Sequence, residues 1–375
     1  MNWIAWIAAA AALAFVAAEL AARAWIRLRG RYFVWRPHER THMELDRESL
    51  PTLEPLVRFE INAEGERGGE LPRDRRGLYR VLVAGGSAAE GYMLDQSSSW
   101  AGALEELLSR PEALSALGAR RVHVGNIARS LVPCASIARM LDGVLPRYDK
   151  LDLVLLMVGA SDMVDWLETR CPPQPREQSP TLEGLFDEHC ERPFGWSPQR
   201  LALRQIYSGL RRRLGVVQRR QRTGAKLIEL RRRRANAAEW IDVAPDPAPM
   251  LARFERYLEQ LVRAARAKGA RVIVVRQPWF EKDFTPEEEA VMWNFCVGRP
   301  YVEPTTSYYT HRLVNELMHA IDERASLVAE RLGVEQLDLM PHLDRSLATY
   351  YDFLHFTPTG ARAVAELVAK VVTKR

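Results

Sequence analysis

A chain of 375 residues, 47% hydrophobic and 27% charged, has the balance of a folded protein of one large or two ordinary domains, which excludes disorder as a whole. The formal charge of +5 is unevenly spread: between Arg200 and Arg234 there are 13 Lys or Arg against the single acid Glu229, so that stretch carries +12 and the remainder −7. One basic segment on a mildly acidic body argues against nucleic acid as a partner.

The chain opens on an apolar run from Trp3 to Ala18, which resumes after Glu19 and continues to Arg23 and Arg27. About 20 apolar residues cross a bilayer, so residues 1–28 are expected to form a single transmembrane anchor. A cleaved signal peptide would carry basic residues ahead of its apolar run, and none is present here. An ordinary buried helix is the other alternative. Arg23, Arg27, Arg29 and Arg31 all follow the run, and the positive-inside rule then places the body in the cytoplasm.

Residues 29–77 read as a juxtamembrane linker and lead-in, polar and irregular from about Arg36 to Gly77. The body, 78–375, then alternates short β-branched runs with amphipathic helical patterns. Strands are expected at Tyr79–Ala84, Arg121–Gly125, Leu151–Val158, Arg271–Arg276 and Val334–Leu339, where continuous apolar runs suit burial on both faces. Helices are expected at about Ser97–Ser109, Ser136–Leu145, Leu251–Lys268, Tyr308–Arg331 and Pro358–Val372. This order predicts an α/β fold with a five-stranded parallel sheet covered on both sides. The regularity lapses at about 168–250, an insertion expected to contain a helical arm.

Four cysteines, Cys134, Cys171, Cys190 and Cys296, show no C-x-x-C spacing, so neither a disulfide scaffold nor a cysteine metal site is expected, and no cofactor is implied. Cys171 and Cys190 bracket a proline-rich stretch that a disulfide would close in an oxidising compartment; four free thiols is the equal alternative.

In open parallel sheets ligands bind beyond the carboxyl ends of the strands, so the residues closing each strand belong together. The first strand closes on Gly85-Gly86-Ser87, a sequence able to turn sharply and present a hydroxyl. Gly91 is followed by Tyr92 rather than Lys, which excludes a Walker loop, and Ser87 occupies the second glycine's place in a dinucleotide fingerprint. The second and third strands close on Asn126-Ile127-Ala128 and Gly159-Ala160-Ser161-Asp162, suited either to oxyanion donors or to helix caps. Near the C-terminus, Asp352 and His355 fall in the turn before a helix starting at Thr357-Pro358. That spacing lets a carboxylate fix one imidazole nitrogen and leave the other to take a proton. A surface pair is the plain reading of one D-x-x-H, and His342 with Asp344 is the nearest rival.

With these blocks in order, the sequence resembles the SGNH/GDSL hydrolase superfamily over roughly Leu56 to the C-terminus, the insertion excepted. The stretch Asn62-Ala63-Glu64-Gly65-Glu66-Arg67-Gly68 is similar to a lead-in of anchored bacterial members. The resemblance implies a flavodoxin-like α/β/α sandwich, an extracytoplasmic body, Ser87 as nucleophile and Asp352 with His355 as its base. It further implies an oxyanion hole from the Ser87 and Ala128 N–H groups with Ser161, where the family has glycine and asparagine at the latter two positions.

The expected activity is that of a serine esterase or O-acyltransferase working through a Ser87 acyl-enzyme on an ester-bearing small molecule, carbohydrate or lipid. The alternative is a membrane-tethered binding or assembly protein whose site has decayed at Ser161. Within the basic segment, Arg211, Arg212, Arg213, Arg231, Arg232, Arg233 and Arg234 are expected either to dock anionic headgroups or to form solvated helix faces.

Overall fold

The computed structural model describes residues 3–29, 33–175 and 200–374. Cys190, Arg31 and much of the proline-rich stretch lie outside the described residues. Cys171 is buried, its sulfur 3.6 Å from the Tyr309 hydroxyl.

Helix α1 (Trp3–Arg29) is followed by β1 (Arg40–Leu45), β2 (Leu56–Glu60), β3 (Leu78–Gly85), α2 (Ser87–Glu90), α3 (Trp100–Leu108), α4 (Pro111–Leu117) and β4 (Arg121–Asn126). Next come α5 (Cys134–Val144), β5 (Leu153–Met157), α6 (Ala160–Glu168), α7 (Ala202–Arg213), β6 (Arg219–Thr223), α8 (Ala225–Ala235) and β7 (Glu239–Ile241). The chain closes with α9 (Ala248–Ala267), β8 (Arg271–Val275), α10 (Pro286–Ala290), β9 (Ser307–Tyr309), α11 (His311–Leu332), β10 (Glu335–Leu337) and α12 (Pro358–Thr373).

The five strands expected from apolar runs form one parallel sheet in the order β4-β3-β5-β8-β10. Counted along the chain this is 2-1-3-4-5, the flavodoxin-like order, whose switch point lies between β3 and β5. Every residue of β5 is buried, as a central strand covered on both faces must be. Helices α3 and α12 pack together, as do α5, α9 and α11. Right-handed crossovers put these two groups on opposite faces. Thr357 caps α12 through Gly360 N with Pro358 at the first helical position, as its sequence predicts.

Helix α1 is long and apolar enough to cross a membrane, with mean hydropathy 2.1 over an 18-residue window within Trp3–Leu28. Its buried positions, Glu19, Ala22, Arg23 and Ile26, face α7. The Glu19 carboxylate accepts the Ala202 and Leu203 N–H groups at 2.8 and 3.1 Å, so a residue of one helix caps the other.

The lead-in is more ordered than its polarity predicts. Strand β1 pairs antiparallel with β2 and parallel with β6 of the insertion, burying Met43, Leu45, Val57 and Phe59. After β2, Glu66 is fully buried, accepting from Arg80 (3.0 Å), Tyr148 (2.5 Å) and Asn62 (3.3 Å) and bonded to His123 (3.0 Å). Burial alone would raise its pKa; the His123 hydrogen bond and the Arg80 charge outweigh burial and hold it at about 2.

A carboxyl depressed from 4.5 contributes stability above that value and loses it as pH falls toward 2. Glu66→Gln leaves the Arg80 charge buried without compensation, which should cost roughly 3–5 kcal/mol. Urea unfolding of the detergent-solubilised chain, followed by tryptophan fluorescence, measures it; an unchanged midpoint contradicts this role for Glu66.

Candidate active site

Strand β3 ends against β5 so closely that a Cβ on Gly85 would sit 2.1 Å from the Met157 carbonyl oxygen. Glycine is therefore required there, and the Gly86 N–H then donates to that same carbonyl at 3.2 Å. The chain turns at once into α2, and Ser87 is presented at the carboxyl edge of the sheet. Arg67 holds the far end of this turn: its guanidinium donates to the carbonyls of Glu90 (2.5 Å), Gly91 (2.7 Å) and Leu94 (2.5 Å).

From the other end of the chain, the turn before α12 is closed by an antiparallel bridge between Tyr350 and Phe356. Inside it, His355 Nε2 lies 2.7 Å from Ser87 Oγ, and His355 Nδ1 lies 2.8 and 2.9 Å from the Asp352 oxygens. Asp352 has no solvent exposure and also accepts from the Leu354 and His355 N–H groups, both at 2.9 Å. A fourth donor is the Trp293 indole N–H at 3.0 Å. Tyr351 stacks on the imidazole, ring centroids 5.5 Å apart.

Burial would raise the Asp352 carboxyl, but the charge and hydrogen bond of His355 with the two backbone donors hold it below its usual range. For His355, burial pulls the pKa down, while the Asp352 charge and hydrogen bond, with a smaller contribution from Glu90, raise it overall. Glu90 is buried beneath the site with its own pKa raised by that burial, and it accepts from the Ser130 hydroxyl at 2.6 Å and from the Ser130 N–H.

Of the three residues expected to supply oxyanion donors, Ser87 and Ser161 line one cavity. The Ser87 N–H, at the start of α2, makes no hydrogen bond among the described residues. The Ser161 hydroxyl stands 2.7 Å from where a Cβ on Gly86 would be, so glycine at 86 leaves it room beside Ser87. Ala128, the third expected donor, is engaged within its own turn. Its N–H donates to Asn126 Oδ1 at 2.8 Å, its side chain is buried, and the cavity wall is formed by Ser130 and Leu131 instead. Asn126 is equally occupied, its amide donating to the Ala89 carbonyl at 2.8 Å.

Ser87, Ser161 and His355 open into a cavity of about 360 Å³. Its walls are mainly apolar, from Met93, Leu131, Val164, Trp293, Phe295, Tyr301 and Leu354. The insertion supplies a further wall through Gln221, Thr223 and Leu227, and Gln221 donates to the Tyr92 hydroxyl at 3.2 Å. Glu168 at the cavity is pushed by burial up to about 7.

The arginine run of α8 corrects a second expectation. Arg231 donates to the Val291 and Ser49 carbonyls at 3.0 and 2.5 Å, and Arg234 is buried against His311 and the Trp240 ring. Arg232 and Arg233 pair with Glu229 on their own helix. Arg211, Arg212 and Arg213 lie apart from these, in the last turn of α7.

Sequence reasoning missed Trp293, Glu90, Ser130, Tyr351 and the bracing by Arg67. Only Arg67 and Glu90 carried a signal, one in the lead-in motif and the other as the acid three residues after the serine.

No family model matches the sequence, and no curated protein matches it. Solved structures similar to the chain include the acetylxylan esterase Axe2 from Geobacillus stearothermophilus, at 11% identity and a TM-score of 0.41, covering 79% of this chain and 95% of that one. A member of the lipolytic G-D-S-L family from Veillonella parvula DSM 2008 is 10% identical with a TM-score of 0.41, covering 80% and 100%. The α/β hydrolase LAE5 from the metagenome of Lake Arreo is 14% identical with a TM-score of 0.41, covering 79% and 97%. Likeness at this level carries no functional weight.

A base must be neutral to accept a proton, so reactivity at Ser87 should fall as pH drops through the His355 pKa. Because that pKa is raised, the half-maximal rate of fluorophosphonate labelling should lie above pH 6.5. Asp352→Asn should move this midpoint to lower pH and slow labelling by on the order of 10⁴; a midpoint unmoved by the substitution contradicts the coupling.

Proposed function

We propose that this chain is a membrane-anchored carboxylic ester hydrolase that works through an acyl-enzyme on Ser87 and takes its acyl group into the apolar cavity. The observation that carries this reading is the unbroken run from Ser87 Oγ through the imidazole to a carboxylate without solvent exposure.

In the first half-reaction Ser87 Oγ adds to the ester carbonyl as His355 Nε2 takes its proton, and Asp352 steadies the imidazolium. Negative charge on the former carbonyl oxygen is met by the Ser87 N–H and the Ser161 hydroxyl. The intermediate collapses with loss of the alcohol, to which His355 returns the proton. Water, activated by the same imidazole, then releases the acid. A carbohydrate or lipid hydroxyl in place of that water would make the same site an O-acyltransferase.

The oxyanion side favours a second reading. With the Ala128 N–H engaged elsewhere, a site keeping only a backbone N–H and a hydroxyl also suits a non-catalytic binding protein. Labelling separates the two: an enzyme reacts with fluorophosphonate at Ser87, whereas a folded protein inert at Ser87 is a binder.

Turnover of p-nitrophenyl esters should disappear in Ser87→Ala and His355→Ala and fall by about 10²–10³ in Ser161→Ala. Burying one methylene is worth about 0.8 kcal/mol, so kcat/KM should rise by up to about fourfold per carbon from acetate to hexanoate. A flat or falling series contradicts the apolar acyl site.

A further inference from the structure

Away from the catalytic cavity, a second one of about 180 Å³ is lined by Arg36, Arg40, Arg211, Arg212 and Arg219, with Glu39 as its one acid. These residues come from the segment after α1, from β1, from α7 and from β6, four places that only the fold brings together. Glu39 pairs with Arg219 at 3.0 Å, and the Arg212 Nε donates to the Pro37 carbonyl at 3.2 Å. Among the described residues, five guanidinium groups and one carboxylate line this small concavity. Planar, fork-shaped donors in this number match phosphate oxygens.

The position of the cavity says which phosphate. Helix α7 begins at Glu19 of α1 and runs beside the last turns of that helix, packing on Ala22 and Ile26. From Ala202 to Arg211 it rises about 14 Å, and α1 rises about 15 Å from Glu19 to its end. Arg211 and Arg212 are therefore level with the place where the apolar helix stops and charged chain begins, the headgroup level of any bilayer α1 crosses. The outer face of α7 and its exit are apolar: Tyr207, Leu210, Leu214 and Val216 are all more than half exposed. Apolar side chains beside a basic cluster are the pattern of a helix lying in a membrane interface.

We propose that the arginine cavity between α7, β1 and β6 seats the phosphate of an anionic phospholipid and thereby fixes α7 in the headgroup layer beside α1. This is a site separate from catalysis, and it stands whether or not Ser87 is reactive. It also divides the basic segment: the arginines of α7 and β6 serve the lipid, and those of α8 serve the body.

The test uses the full chain in neutral detergent, titrated with dioctanoyl phosphatidylglycerol, dioctanoyl phosphatidylcholine or inorganic phosphate, with melting temperature as readout. Phosphatidylglycerol should raise the melting temperature saturably by several degrees, and neither other probe should match it. The double variant Arg40→Gln/Arg211→Gln should lose the rise. Ser208→Trp, which fills the cavity without changing its charge, should lose it too and covers the case in which the double variant does not fold. An equal rise with inorganic phosphate overturns the lipid as ligand. An equal rise with phosphatidylcholine, or one that survives in folded variants, overturns the site.

Discussion

A carboxylate with no exposure to water is the constraint on which the rest of the site depends. Moving Asp352 into the interior costs several kcal/mol unless its oxygens are met by donors, and four N–H groups meet them. Two come from its own turn, one from the imidazole it orients, and one from Trp293, 59 residues away. That turn is shut by the Tyr350–Phe356 bridge and followed by α12, which packs on α3. His355 is thus placed by the turn before α12, and the Asp352 charge that orients it is met in part by the Trp293 segment.

The serine side is fixed by different means. Steric exclusion at Gly85 sets the turn, and Arg67 anchors its far end through three carbonyls. Arg67 in turn follows Glu66, whose buried network ties β2 to β3, β4 and Tyr148. What the sequence presents as a short polar motif ahead of the domain is the brace behind the turn that holds Ser87 beside the imidazole.

The central sheet was legible because its strands are buried on both faces and so read as unbroken apolar runs. Strand β6 was not: Arg219-Arg220-Gln221-Arg222-Thr223 has no apolar residue, and its extended form comes wholly from pairing with β1. Ser87, Asp352 and His355, singled out together by strand-end position and spacing, are hydrogen-bonded in a row in the structure. A motif aligned through Asn126 gives the Ala128 amide's position in the chain and not the acceptor it finds, which is Asn126 Oδ1. Trp293 had no local signal, since its partner lies far along the sequence. Arg231 and Arg234 looked like the rest of their run; only tertiary packing separates a buried guanidinium from a solvated one.

The Glu19 cap has a bearing on how the protein is made. Helix α7 receives its first N–H partners from a residue of α1, and from α7 the chain passes directly into β6 and α8, which wall the cavity at Ser87. Material freed of its first 28 residues, as a secretion peptidase or a soluble expression strategy would leave it, starts α7 with two amides unmatched and an apolar flank bare. The wall behind them then loses its fixed starting point. For this chain the apolar helix α1 is part of the fold around the cavity, and purification has to keep it.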